Sequence, residues 1–323
     1  MGKQIKESST DEKEPTTTIS VSENYDYVTV VGASYTSLIE DVRKQMGNKM
    51  RFVNQGIRQL RLYPMTTDDL SVQRVFLIFI EEYEAKLLKR IQQVVSGRYR
   101  AAYKEFDSIS NLVDFVNLRM SKNRLIKQLD FFSHGVIGSV ELGYKLRKND
   151  SYRFRDVQAR KLSPDAFDYD ANIYSYACRT GLGQDDEDDP AYSKSLAQIL
   201  ANATTTMVHA FVRRSEYDLT YGDTRQRKIA ADNIDKIRNY DNAIAAHRML
   251  EVLQQKGVFS GPMPPRPVNP CTNEEESLAR HAMSRDRNQR ELGYPLDEEG
   301  AVQGVRTAAT PEWAPQGLRI YSP

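Results

Sequence analysis

Cysteine is scarce: the 323-residue chain has two, Cys178 and Cys271. One lies on an apolar run and the other in a proline-rich stretch, so no disulfide framework is expected and both are read as thiols. Histidine is scarce as well, at four: His134, His209, His247 and His281. None stands with a cysteine at zinc-finger spacing, so no metal site is expected there. No run approaches the ~18 consecutive apolar residues of a membrane helix, which excludes a membrane span. The opening MGKQIKESSTDEKEP lacks the apolar core of a secretory signal peptide. Lys6 also stands where a myristoylation signal wants Ser or Thr. The chain therefore reads as soluble and cytoplasmic as synthesised, with secretion by a route that needs no cleaved signal peptide left open. Neither sign of charge dominates, since 45 Lys and Arg face 44 Asp and Glu for a net +1. That balance gives no general reason to expect nucleic acid as a ligand. The basic stretch 213–238 is itself interleaved with Glu216, Asp218, Asp223, Asp232 and Asp235.

What is present suits a packed core: 40 % of residues are hydrophobic and 28 % charged, the composition of an ordered globular chain. Residues 1–24 are polar and expected to form a disordered arm. Residues 27–32, YVTVVG, read as a buried β-branched strand, and 36–46 follow with helical spacing. A second strand is expected at 73–80 (QRVFLIFI), a third within 125–133 and a fourth at 171–177 (ANIYSYA). A fifth is expected at 206–212 (TMVHAFV). Amphipathic helices are expected over 81–95, 107–120, 193–202 and 233–255. A short hairpin arm is expected at 138–146, and a helical connection over 153–167. Apolar strands alternating with helices predict an α/β fold, a mainly parallel sheet covered on both faces. At 261 the composition shifts to GPMPPRPVNP, a linker or extended polyproline stretch. A charged helix (274–291) and a tail follow, whose Trp313, Leu318, Ile320 and Tyr321 are expected to dock on the body. The chain is thus divided into 1–24, a domain over 25–260, and an accessory segment over 261–323.

In an open parallel sheet, ligands bind beyond the carboxyl ends of the strands. Two strand ends carry reactive groups: Ser133-His134-Gly135 after the third and Ala177-Cys178-Arg179-Thr180-Gly181 after the fourth. If these strands are neighbours, imidazole and thiol meet across the top of the sheet. A thiol becomes a strong nucleophile as the thiolate, and a nearby imidazole can take its proton. Gly135 has no Cβ, so its N–H can approach a substrate carbonyl and form an oxyanion hole with the N–H of Cys178. Singly, each residue has a plainer reading: a buried small hydrophobe for Cys178, a hydrogen-bonded structural histidine for His134.

The segments LDFFSHG (129–135) and IYSYACRTG (173–181), 44 residues apart from His134 to Cys178, resemble the caspase–gingipain–separase group of cysteine peptidases. The approach LSPDAFDYDANIYSYACRTG and the following SLAQILANATTTMVHAF resemble bacterial caspase-like domains, so the likeness spans about 27–220. It implies a caspase-like three-layer sandwich. It also implies an endopeptidase dyad, with His134 as base and acid, Cys178 as nucleophile, and Gly135 helping to hold the oxyanion. A protein or peptide substrate follows from that, with an inhibitor, immunity or delivery protein as a further partner. An effector toxin or a self-processing protease would be its biological use. Arg179 departs from the simple pattern and either lines or blocks the cleft. Asp185 and Asp186, in the acidic run 185–189, could favour a basic substrate residue, bind Ca²⁺ or belong to a cleavable loop. A solvated loop is the plainer reading. Arg213 and Arg214 are candidates to pair with an acidic substrate side chain. No cofactor is otherwise expected.

Two other classes compete. A catalytically inactive caspase-like interaction module differs only in a misaligned dyad. In an α/β-hydrolase-type esterase, FSHGVIGS would be an oxyanion loop. That reading needs a downstream G-x-S-x-G elbow, which none of the later serines supplies.

Overall fold

A computed structural model describes residues 24–34, 47–65, 71–143, 152–183, 192–307 and 317–323. The expected helix at 36–46, the acidic run 185–189 with Asp185 and Asp186, nearly all of the N-terminal arm, and Trp313 lie outside these residues.

Seven strands form the central sheet: β1 (Tyr25–Val31), β2 (Val72–Phe79), β3 (Ala102–Phe106), β4 (Leu125–Phe132), β8 (Phe167–Ser175), β9 (Met207–Phe211) and β12 (Leu318–Tyr321). Their spatial order is β12-β9-β8-β4-β1-β2-β3. All neighbours are parallel except β12, which is antiparallel to β9. The chain moves outward from β1 through β2 to β3, then crosses back to lay β4 on the other side of β1. A topological switch point therefore lies between β1 and β4. A small antiparallel sheet follows β4, made of β5 (His134–Val136), β6 (Ser139–Glu141) and β7 (Arg153–Phe154). Its last strand takes the first two residues of the expected helical connection at 153–167, which keeps only the single turn α4 (Asp156–Ala159) and a 3-10 turn at Pro164–Ala166.

The central strands are apolar because both their faces are covered: Val28, Val30, Val31, Phe76, Ile78, Leu129, Phe131 and Ile173 are all buried. Helix α1 (Arg51–Leu62) lies on one face, and Gly56 allows it to sit close. A Cβ there would come 2.6 Å from Val31 Cγ2 and 2.8 Å from Phe76 Cε2. The helices α2 (Ala85–Gln92), α3 (Ile109–Asn117) and α5 (Leu196–Thr204) connect or follow the strands. Ser108 caps α3 by accepting from Asn111 N–H, and Ser195 caps α5 by accepting from Gln198 N–H, each satisfying an orphan donor of the first turn.

The C-terminal part is woven into the body rather than appended to it. Helix α6 (Thr224–Gln255) begins nine residues before the expected start. It opens with a capping box of Asp223 and Gln226 instead of an apolar stripe. It packs against α7 (Asn273–Leu292) through Ala230, Leu278 and Ala282. The proline-rich stretch runs extended between them, and His247 Nε2 lies 3.1 Å from Pro264 O. Buried His281, on α7, sits 3.0 Å from Asp297, which Arg285 also reaches. Tyr294, Leu296, Val305 and Tyr321 join the main core. Of the expected docking residues in the tail, Tyr321 is buried, while Ile320 is more than half exposed. Among the described residues no helix is long and apolar enough to cross a membrane.

Candidate functional site

β4 and β8 are paired neighbours, with Phe131 opposite Ser175. Ser133-His134-Gly135 and Ala177-Cys178 therefore leave the sheet side by side, next to the switch point. The approach at Gly135 is close: a Cβ would lie 2.7 Å from Ala177 Cβ, 2.7 Å from Cys178 O and 2.8 Å from Cys178 N. Only glycine fits there without a shift of the backbone carrying the thiol.

The chain around Cys178 is held from three sides. Tyr176 N–H donates to Phe131 O at 3.0 Å, which extends the β4 pairing past the strand end. The Oγ1 of Thr180 is 2.8 Å from Ser175 Oγ and donates to Ala177 O at 3.3 Å. Arg179 N–H donates to Arg213 O at 3.1 Å, and Gly181 N–H to Phe211 O at 3.0 Å. Thr180 O accepts the N–H of Ala197 in the first turn of α5. Tyr321, on β12, donates its hydroxyl to Gly181 O at 2.6 Å. Arg179 itself takes a left-handed backbone, φ +59°, which non-glycine residues adopt rarely and at some strain. The chain thus turns sharply just after the thiol.

The half-buried Cys178 Sγ lies 3.0 Å from Ser215 Oγ and accepts the Ser215 backbone N–H at 3.2 Å. Ser215 is held in place by a two-residue pairing of β10 (Ser215–Glu216) with β11 (Arg306–Thr307). A piece of the C-terminal segment therefore positions a donor on the thiol. No local pattern marks Ser215 as a partner of the thiol, because the strand that holds it comes some ninety residues later.

His134 is half-buried at the start of β5. Its ring meets Phe52 edge-on at 4.9 Å, and Phe52 meets Tyr217 edge-on at 4.8 Å. Tyr217 donates to Tyr176 O at 3.1 Å, joining this cluster to the strand that carries Cys178. Burial, then the positive charge of Arg51, pushes the imidazole down to about 4. The ring is therefore neutral near pH 7 and a weaker base than a free imidazole. Arg51 and Phe52 open α1, and no motif in the sequence marked either as part of a site.

A cleft of about 740 Å³ adjoins His134 and Gly135. Its floor comes from the β5–β7 sheet, its far wall from Lys194, Leu196 and Ile199. Glu141 and Arg153, cross-strand neighbours on β6 and β7, are ion-paired at 3.0 Å in its lining, which also includes Arg155 and Asp156. Arg179 and Arg213 are both exposed and are brought together through their backbones. Neither is among the residues that line this cleft. His209 is half-buried, stacked on Tyr174 at 4.4 Å and hydrogen-bonded to Asn172 at 3.0 Å, a structural role. Among the described residues no three His, Cys, Asp or Glu side chains gather as a metal site.

No family model matches the chain, and no curated protein or solved structure matches it.

Proposed function

We propose that the chain is a cysteine endopeptidase of caspase-like type, with Cys178 as nucleophile and His134 as general base and acid. The observation that carries this reading is the pairing of β4 with β8, which sets His134-Gly135 and Cys178 side by side next to the switch point. The tight packing of Gly135 on Cys178 N and O adds weight. In the first step His134 takes the thiol proton, and the sulfur attacks the carbonyl carbon of a peptide bond. The N–H groups of Gly135 and Cys178 are the donors for the tetrahedral oxyanion. The imidazolium then gives its proton to the departing amine as the C–N bond breaks, leaving a thioester. His134 next takes a proton from water. The resulting hydroxide displaces the sulfur, and Cys178 recovers its proton. The Ser215 N–H stabilises negative charge on sulfur, as hydrogen bonds to thiolates do. The cleft beside Gly135 accommodates the peptide, with the charges of Glu141, Arg153, Arg155 and Asp156 along its wall.

The test is digestion of a proteome-derived peptide library, read by mass spectrometry. The wild-type chain should yield cuts with a common sequence preference, absent with Cys178→Ala and with His134→Ala. Cleavage that survives Cys178→Ala, or no cleavage by the wild type, contradicts the reading.

A further inference from the structure

A second cavity, of about 200 Å³, lies between α1 and the sheet face it covers. Gln55, Arg58, Gln59 and Leu62 line it from α1. Gln128 and Phe132 line it from β4, Tyr174 and Tyr176 from β8 and its end, and Gly304 and Val305 from the C-terminal segment. Its volume is several times the ~30 Å³ share of one water in the liquid. No Asp or Glu is among its lining residues within the described part of the chain.

Arg58 is the unusual member. It is half-buried, and its Nε is fully shielded from solvent with no hydrogen-bond partner. No carboxylate pairs with its guanidinium among the described residues. Burial weakens its hold on the proton, and neighbouring Arg61 adds further positive potential. The C-terminal roof comes close, since a Cβ on Gly304 would stand 3.5 Å from Arg58 Nη1. Tyr174 and Tyr176 stack at 6.3 Å, and Tyr176 stacks on Phe132 at 4.7 Å. Neither tyrosine hydroxyl nor the Gln59 amide has a hydrogen-bond partner among the described residues. The buried carboxyl of Asp130, between the lining residues Gln128 and Phe132 on β4, accepts at Oδ2 from the Tyr63 hydroxyl and from Gln128 Nε2, while its Oδ1 has no partner among the described residues.

A shielded cation without a counter-charge is costly to a fold. A cavity that adds uncommitted phenol and amide donors to it is set up for a negative guest. Guanidinium is well suited to that guest, because its planar fork matches carboxylate and phosphate oxygens. We propose that this cavity binds a compact oxyanion of the carboxylate or phosphate class, held chiefly by Arg58 with Tyr174 and Tyr176 as further donors. The proposal is independent of the peptidase reading, since neither His134 nor Cys178 takes part.

The experiment is calorimetric titration of the full chain at constant ionic strength, with sodium phosphate, sodium malonate and a chloride control. Thermal melts of the same samples accompany it. Saturable binding of one phosphate or one malonate per chain is expected, with Kd near about 1 mM or tighter. Whichever of the two binds more tightly names the source class. Arg58→Met should weaken that binding at least tenfold, and Tyr174→Phe several-fold. In chloride Arg58→Met should melt at or above the wild-type temperature, because it removes an uncompensated charge without removing volume. Two results overturn the proposal: no saturable binding of either anion by the wild type up to about 10 mM, or wild-type affinity in Arg58→Met.

Discussion

Replacing Gly135 with alanine perturbs the candidate site at its tightest point. The new Cβ would lie 2.7–2.8 Å from Ala177 Cβ and from the O and N of Cys178, while ordinary van der Waals contact begins at 3.4 Å. The ends of β4 and β8 must therefore part by about 0.6 Å, in line with the repacking that overfilled sites force. They are tied together just below by the Tyr176 N–H to Phe131 O bond, and two of the three obstructing atoms are backbone, so the strain cannot be relieved by a rotamer change. Overpacking of this kind costs about 1–3 kcal/mol. In the proposed mechanism the displaced group also aligns the oxyanion donors, and a misplacement approaching 1 Å costs up to about 100-fold in rate. Urea unfolding of Gly135→Ala should show the stability loss, and kcat/KM on a cleaved peptide should fall between about 10- and 100-fold. Wild-type stability together with wild-type cleavage would refute the packing argument.

Two groups, the buried Asp130 and the half-buried His134, pull stability in opposite directions with pH. Burial raises the Asp130 carboxyl from 3.8 to about 7, so its contribution is full below pH 3.8 and is lost as pH rises through 7, by up to about 4 kcal/mol. The His134 imidazole is pushed from 6.5 down to about 4. Its contribution is full above pH 6.5 and is lost as pH falls towards 4, by up to about 3 kcal/mol. Wild-type stability should change little from pH 4 to 6.5, while Asp130→Asn should weaken on acidification over that range. Urea midpoints at several pH values check this, and an unchanged pH slope in Asp130→Asn contradicts it. Gly56→Ala should destabilise by about 1–3 kcal/mol, although alanine in a helix interior normally gains about 1 kcal/mol over glycine. A stability gain in thermal melts would contradict the close seating of α1. Ser215→Ala keeps the backbone donor but removes the hydroxyl 3.0 Å from the sulfur. Its Cys178 alkylation rate should fall by about tenfold, the value of one hydrogen bond to a charged group, and an unchanged rate would remove Ser215 from the site.

Much of the sheet is legible in the sequence because buried parallel strands read as continuous apolar runs, as VFLIF and LDFF do. Two strands are not. β3 is an edge strand with Lys104 and Glu105 exposed, so its pattern looks like a loop. β12 has four residues with only Tyr321 buried, too little for a periodicity. The start of α6 is hidden for a related reason: most of that helix faces solvent, and its cap rather than an apolar stripe marks where it begins. In the site, His134 and Cys178 could be picked out because each ends an apolar strand and precedes a glycine or a glycine-bearing turn. Ser215, Arg51, Phe52 and Tyr217 reach the same place through long-range packing, and nothing local distinguishes them. Arg179 and Arg213 look alike in the sequence as substrate contacts; the fold leaves both, like Cys178, outside the described lining of the cleft and joins them through main chain.

The most direct test of the central claim is the rate of Cys178 alkylation by iodoacetamide as a function of pH, with peptide mapping, in wild type, His134→Ala and Ser215→Ala. Cys178 should label faster than Cys271, and His134→Ala should slow it markedly. Slow labelling of Cys178, indifferent to His134, would contradict a working dyad.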